Sequence, residues 1–224
     1  MDVNVLRELY SSPEETAFLL KTLHYLIGSF LLAYACVSIY TLLVKKEKNI
    51  LSILRESLLV IAGLLLIVFF LLPNGIQVSF SLLPVDPIPR MYVLTGLYVT
   101  LIGISNMGYL LGKITRIQWS YLVSFGYSMV GLMFLSHTII VTDGFSETLY
   151  VWGHRIVGYS FLVVGLLHVQ GMFYKESTPL WISRVQVTLI LLAAILFLVY
   201  VESVAGIHEN HPLYSLLNSM VFLR

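Results

Sequence analysis

Cysteine is almost absent from this chain of 224 residues, which contains only Cys36. A single thiol excludes an internal disulfide, an iron–sulfur cluster held by cysteines alone, and the C-x-x-C-H attachment of a c-type haem. The sequence also lacks the Walker, G-x-G-x-x-G and H-E-x-x-H patterns, so nucleotide chemistry in this chain is not expected. Any haem would therefore have to be held without the thioether attachment of a c-type cytochrome.

Charged residues are also scarce. They make up 11% of the chain, against about 25% in soluble domains. Hydrophobic residues make up 58%, and the mean hydropathy is +0.89. This composition predicts a multi-pass protein of the lipid bilayer, and the net charge of +1 gives no reason to expect a nucleic-acid partner. The first sixteen residues are polar and acidic, so no cleaved signal peptide is expected.

Long apolar runs predict six transmembrane helices, because a helix of about 20 apolar residues spans the hydrocarbon core. We place them at about 16–44, 50–72, 91–112, 118–141, 147–173 and 183–205. Residues 206–224 are too short and too mixed to span, and we expect them at the membrane interface. The predicted fold is all-α, a six-helix bundle forming a single integral membrane domain over 1–224.

Lysine and arginine are unevenly distributed between the two ends of the bundle. Those assigned to the connections after the first, third and fifth spans are Lys45, Lys46, Lys48, Arg55, Lys113, Arg116, Lys175 and Arg184. The positive-inside rule then places both termini outside the cell, in a plasma-membrane protein. In this assignment Glu56 lies in a connection, and no acidic residue lies in the middle of a span.

Two histidines mark the fifth predicted helix. His154 and His168 are fourteen residues apart, a separation of about 21 Å along the helix and about 40° around it. Gly158 and Gly165 lie on the same stripe. A strip without side chains between two metal-binding groups suits a large planar ligand, so the pattern favours haem and electron transfer across a membrane.

Two other histidines are candidate partners for His154, because a low-spin b-type haem takes two axial ligands. His24 is followed four residues later by Gly28, which repeats the His154 and Gly158 spacing in a helix that runs in the same direction. His137 lies at the same predicted depth in the fourth helix. A haem bound between two helices holds them farther apart than direct packing does. The helices of His137 and His154 are joined by a short turn and are therefore expected to pack directly, so His24 is favoured as the partner and His137 remains an alternative.

The second histidine of the fifth helix has no histidine at its own depth. Met107 lies at a similar depth to His168 and is a candidate axial ligand, which makes a second haem conditional. Arg155 and Lys21 lie where they would neutralise haem propionates, although both side chains can also reach lipid headgroups.

A family resemblance appears in the same helix. The pattern Trp152-Gly-His154-Arg-Ile-Val-Gly158-Tyr-x5-Gly165-Leu-Leu-His168 resembles the haem helix of membrane-bound b-type cytochromes. These include the ferric-reductase-like domain and the cytochrome b subunits of hydrogenases and dehydrogenases. The resemblance is confined to residues 150–175, and no second helix here carries a histidine pair at that spacing.

The resemblance implies a haem b subunit of a larger respiratory or redox complex. Such a subunit relays electrons between an external redox partner and quinone, or across the membrane. It would serve an oxidoreductase complex as an electron-transfer subunit, and we assign no catalytic residue to this chain. The apolar, proline-rich loop 73–90 is a candidate cover for a quinone pocket or a docking surface for a partner.

Two other functions fit the histidines. Imidazole also suits copper and zinc, and a transition-metal site at the outer face would draw on His137, Asp143, Glu147, His154, His208 and His211. The third candidate is a non-catalytic structural membrane subunit whose histidines serve only helix packing.

Overall fold

The computed structural model describes residues 13–44, 49–71, 87–140, 147–174 and 178–199. These residues form six helices. The helices are α1 (Pro13–Val44), α2 (Asn49–Leu71), α3 (Pro87–Leu110), α4 (Arg116–Ile140), α5 (Glu147–Met172) and α6 (Leu180–Val199). The all-α prediction is confirmed, and each predicted helix has its counterpart. Residues 87–90 of the predicted loop 73–90 belong to α3, and the rest of that loop, the interfacial segment at 206–224 and both chain ends lie outside the described residues.

Five of the six helices, namely α1, α2, α3, α4 and α6, are long and apolar enough to cross a membrane. α5 has 26 residues, which is long enough, but its mean hydropathy is lowered by polar side chains: His154, Arg155, His168 and Gln170. Large apolar side chains such as Ile61, Leu64 and Ile104 are exposed on the outside of the bundle. An apolar exterior of this kind contacts lipid, so the chain is an integral membrane protein.

The helices pack in a closed ring. Each helix packs against its neighbours in the chain, and α6 packs against α1 to complete the ring. Consecutive helices are antiparallel, because the residues that meet at one end of the ring come from the earlier part of α1, α3 and α5 and from the later part of α2, α4 and α6. The beginnings of α1, α3 and α5 therefore share one end of the bundle with the ends of α2, α4 and α6. The interior of the ring consequently has two distinct ends.

Close backbone contact joins α2 to α3. A Cβ atom at Gly63 would lie 2.5 Å from the carbonyl oxygen of Gly96, and one at Gly96 would lie 2.6 Å from the carbonyl oxygen of Gly63. Only glycine allows such an approach, and small residues serve this purpose in membrane helices because lipid offers no hydrophobic drive for helix association.

The turn between α3 and α4 follows local rules. Gly112 has a φ of +67°, and the amides of Gly112 and Lys113 donate hydrogen bonds of 2.9 and 2.8 Å to carbonyls of the last turn of α3. This is a Schellman motif, which ends a helix at a glycine. The Thr115 hydroxyl then accepts from the amide of Gln118, whose side chain accepts from the Thr115 amide, in a capping box.

Candidate functional site

An apolar cavity lies inside the ring, near the beginnings of α1 and α5. His24 and His154 both line it, at 2% and 4% exposure. The other side chains that line it are Ile27, Leu31, Ala62, Leu66, Met91, Tyr92, Thr95, Val99, Val130, Phe134, Phe161 and Phe197. We call this the histidine cavity. α1 and α5 flank α6 in the ring, so the two imidazoles reach the cavity from helices that are not neighbours.

Two phenyl rings link the imidazoles within this cavity. The His24 ring centroid lies 5.6 Å from that of Phe197, the Phe197 ring 5.4 Å from Phe134, and the Phe134 ring 5.8 Å from His154. The remaining space is about 30 Å³, whereas small-molecule sites typically enclose about 300–1,000 Å³. The donor set suits haem iron, but a tetrapyrrole enters only if Phe134 and Phe197 move apart.

The glycine strip of α5 faces a neighbouring helix. A Cβ atom at Gly158 would lie 3.0 Å from the carbonyl oxygen of Gly131 in α4, and one at Gly165 would lie 3.0 Å from that of Ser124. Gly28 of α1 is likewise covered, by Phe197 and Leu198 of α6. In this structure the three glycines that the sequence associated with a planar ligand serve helix packing.

The other candidate haem residues lie apart from the histidine cavity. Arg155 is exposed, with its guanidinium carbon 5.8 Å from the centroid of the exposed Trp152 ring. The Met107 sulfur accepts a hydrogen bond of 3.8 Å from the Ser57 hydroxyl, between α3 and α2. Met107 does not line the cavity on which His168 lies, so the structure does not bring this predicted pair together.

Several predicted ligands lie outside the described part of the chain. His137 belongs to α4 and Glu147 to α5, but their side chains are not described, and neither is that of Lys21. Asp143, His208 and His211 lie outside the described ranges altogether. Within the described residues there is no group of three or more histidine, cysteine, aspartate or glutamate side chains that would hold a metal ion.

A second cavity, about 310 Å³ in volume, lies at the opposite end of the ring. All six helices line it, and its polar and aromatic side chains include Tyr34, Ser38, Thr41, Arg55, Glu56, Asn106, Tyr109, Trp119, Tyr127, His168, Ser183 and Gln186. We call this the polar cavity. It is about ten times the volume of the histidine cavity.

A buried hydrogen-bonded network forms one wall of the polar cavity. Glu56 is fully buried, and its carboxylate accepts from the Arg55 Nε and the Asn106 Nδ2, each at 2.6 Å. The Asn106 Oδ1 in turn accepts from the Trp119 indole at 2.6 Å. α2, α3 and α4 are thus joined by polar contacts within the bundle. Paired and hydrogen-bonded groups of this kind are how membrane proteins hold charges away from water.

This network corrects the sequence-based assignment of Arg55 and Glu56 to a connection. Both residues lie in α2, about two turns after its start at Asn49. Glu56 lies inside the candidate membrane span Ile50–Leu71 and is completely buried. The signal was available: the predicted span at 50–72 already enclosed both residues, and ionisable residues inside a span are functional candidates.

His168 occupies the facing part of the polar cavity. Its Nε2 atom is buried and has no hydrogen-bond partner among the described residues. The imidazole packs edge-on against Trp119, with ring centroids 4.4 Å apart, and Trp119 stacks on Tyr109 at 4.3 Å. The imidazole of His168 is therefore held against two stacked aromatic rings.

Comparison with family models, with curated proteins and with solved structures finds no match for this chain.

Proposed function

We propose that this chain is a haem b-binding membrane subunit that relays electrons for a larger redox complex. One observation supports it above the others: His24 and His154 are both buried and both line one apolar cavity. They come from helices on either side of α6, and buried imidazoles at such a place in a membrane protein are functional candidates.

The chemistry of the pair agrees with this function. Two imidazoles can serve as the axial ligands of a low-spin haem, which supplies one-electron transfer when bound. His24 and His154 would hold the iron, and the apolar lining would exclude water. Phe134 and Phe197 are the side chains that must move to make room.

The proposal includes one haem per chain, at the histidine cavity. His168 has no second ligand in the described structure, because Met107 does not line the cavity on which His168 lies. The proposed topology has six transmembrane helices, with α5 as the sixth and both termini outside the plasma membrane. The electron donor and acceptor are an external redox subunit and quinone, in either order.

The test is optical. Protein purified from haem-replete cells should show Soret and α bands in the reduced-minus-oxidised spectrum, with one haem per chain. His154→Ala and His24→Ala should each abolish the bands, because each removes an axial ligand. His168→Ala is the matched variant, since it changes a histidine of the same helix outside the histidine cavity, and it should retain them.

Other outcomes would replace the proposal. A folded, colourless preparation would refute haem binding and leave a structural subunit. Stoichiometric copper or zinc without a haem spectrum would support the transition-metal site. If His137→Ala lost the bands and His24→Ala retained them, the second haem ligand would be His137 of α4 and not His24.

A further inference from the structure

The polar cavity contains an accessible cation. Its volume of about 310 Å³ falls at the lower end of the range for small-molecule sites. Arg55 lines it, and 21% of the Arg55 side chain is accessible. The two Nη nitrogens form no hydrogen bond within the described part of the chain, and they are not among its fully enclosed polar atoms. One edge of the guanidinium is therefore available to a ligand.

The carboxylate beside this cation already has its donors. The Glu56 Oε1 accepts from the Arg55 Nε, and the Oε2 accepts from the Asn106 Nδ2, each at 2.6 Å. The Arg55 guanidinium carbon also lies 5.8 Å from the centroid of the Tyr34 ring. Contacts with Glu56 and Tyr34 thus hold the guanidinium at the wall, and its Nη edge is left for a group that accepts hydrogen bonds.

A carboxylate matches that edge. The planar guanidinium presents parallel N–H groups to two oxygens at once, which a carboxylate supplies in the same plane. The stacked rings of Tyr109 and Trp119, with centroids 4.3 Å apart, give the cavity an aromatic wall for the apolar part of such a ligand. The described lining contains no second arginine and no lysine, so it suits one carboxylate per ligand.

The charge balance adds a proton to this ligand. The charges of Arg55 and Glu56 sum to zero, and a further anion in an apolar bundle would be without a counter-charge, which is costly. Two carboxylates that share one site avoid this cost when one of them takes up a proton.

Glu56 is the group that would accept the proton. The other titratable side chains on the described lining are Tyr34 of α1, Tyr109 of α3, Tyr127 of α4 and His168 of α5, and α6 contributes none. A tyrosine near neutral pH has no basic site to protonate, and the His168 Nε2 is enclosed away from the cavity. Glu56 is in direct contact with Arg55, so it is the carboxylate that a second anion would displace.

We propose that the polar cavity binds a small monocarboxylate on the Nη edge of Arg55, together with one proton on Glu56. The ligand carboxylate becomes the charge partner of Arg55, the Glu56 Oε1 accepts a proton from water, and the Oε2 keeps its bond to Asn106. The polar cavity and the histidine cavity share no described lining residue, so this activity is separate from haem binding.

Calorimetry of the full chain in detergent tests the proposal, with benzoate as the probe. Titrations in buffers of different ionisation enthalpy should show saturable binding and the uptake of about one proton per benzoate. The dissociation constant should rise about tenfold per pH unit from about pH 6 to about pH 8, where benzoate in solution is ionised throughout. Benzamide, the neutral isostere, should bind at least about tenfold more weakly.

Two variants locate the anion and the proton. Glu56→Gln imitates the protonated carboxyl, so it should retain benzoate binding but lose both the proton uptake and the pH dependence. Arg55→Lys keeps the charge but loses the fork, and it should raise the dissociation constant at least about tenfold, as the loss of a charge-assisted hydrogen bond does. Arg184→Lys is the matched change, because Arg184 is exposed and does not line the cavity, and binding should be unaltered.

Several results would overturn the inference. These are an absence of saturable benzoate binding, binding without proton uptake, or equal affinity for benzamide. A pH dependence that survives in Glu56→Gln would also overturn it, because undissociated benzoic acid would then be the species that enters. If one variant fails to fold, the other decides, since unaltered benzoate binding in Arg55→Lys is equally incompatible with a carboxylate held by the guanidinium.

Discussion

The buried Arg55–Glu56 pair allows a sharp test of the packing inside the ring. Glu56 is fully buried and Arg55 is 21% exposed, so neither charge is well solvated. The perturbation is a double-mutant cycle of Arg55→Leu, Glu56→Leu and the double variant. Such a cycle isolates the coupling between two residues from their separate effects.

The magnitudes follow from what each change leaves behind. Removing one partner of a buried ion pair costs about 3–5 kcal/mol, because the other charge stays buried without compensation. We expect about 3 kcal/mol for Glu56→Leu, the lower end, since the partly exposed Arg55 can reach a polar surface, and about 5 kcal/mol for Arg55→Leu, which leaves the fully buried Glu56 without its partner. The double variant strands only the Asn106 amide, and a hydrogen bond between membrane helices is worth about 0.6 kcal/mol on average.

The assay is unfolding in mixed micelles with increasing sodium dodecyl sulfate, followed by circular dichroism and extrapolated to zero denaturant. Trp119→Phe provides the neutral comparison, since it removes the indole bond to Asn106 without touching a charge. Its cost should be about 0.6 kcal/mol for the hydrogen bond, plus the packing that the smaller phenyl ring loses against Tyr109 and His168. The ordering should be wild type, then Trp119→Phe and the double variant, then both single variants.

A cycle without coupling would refute the reasoning. If the two single variants each lost less than about 1 kcal/mol, or if their losses simply added in the double variant, the pair would not be buried as described. A double variant that is much less stable than both single variants would show that the side chains serve α2 packing independently of their charges.

Three further predictions use the same unfolding assay. Gly63→Ala should abolish folding or strongly lower the free energy of unfolding, because its Cβ would meet the backbone of Gly96. Gly108→Ala is the control and should be tolerated, because the nearest atoms to its Cβ would lie at 3.5 Å. Equal stability of the two variants would contradict the α2–α3 contact. Thr115→Ala should cost about 1 kcal/mol by removing the cap of α4, and no change would mean that the cap contributes nothing. Phe197→Ala should cost about 3–5 kcal/mol in haem-free protein by opening a cavity, and less in haem-loaded protein if the cofactor fills that space; an equal loss in both would count against haem beside Phe197.

The helices themselves were predictable from local information. An apolar run of about 20 residues favours lipid over water whatever the rest of the chain contains. Accordingly, α1 to α4 begin and end within a few residues of the expected bounds. The end of α3 is fixed locally by Gly112, because a left-handed residue at a helix end is a local feature.

The histidine cavity was predictable in part. The short turn between His137 and His154 favoured His24 over His137 as the group opposite His154, and the structure places His24 and His154 on one cavity. The sequence did not reveal that Phe134 and Phe197 lie between them, because both rings come from helices distant in the chain. Nor did it reveal that Gly158 faces α4, since a helix face made of glycines can pack against a planar ligand or against a neighbouring helix equally well.

The polar cavity shows where local reasoning ends. Counting charged residues assigned Arg55 and Glu56 to one side of the membrane. Such a count uses only the sign of each charge and does not show which residues contact each other. The cost of burying Glu56 depends on Asn106, fifty residues away in the chain, and only a three-dimensional arrangement reveals that bond. The sequence by itself determined which segments leave water, because the free energy of transfer from water to lipid is a sum over the residues of each segment. Tertiary structure alone decided which polar groups meet inside the ring, because that free energy belongs to pairs of residues far apart in sequence.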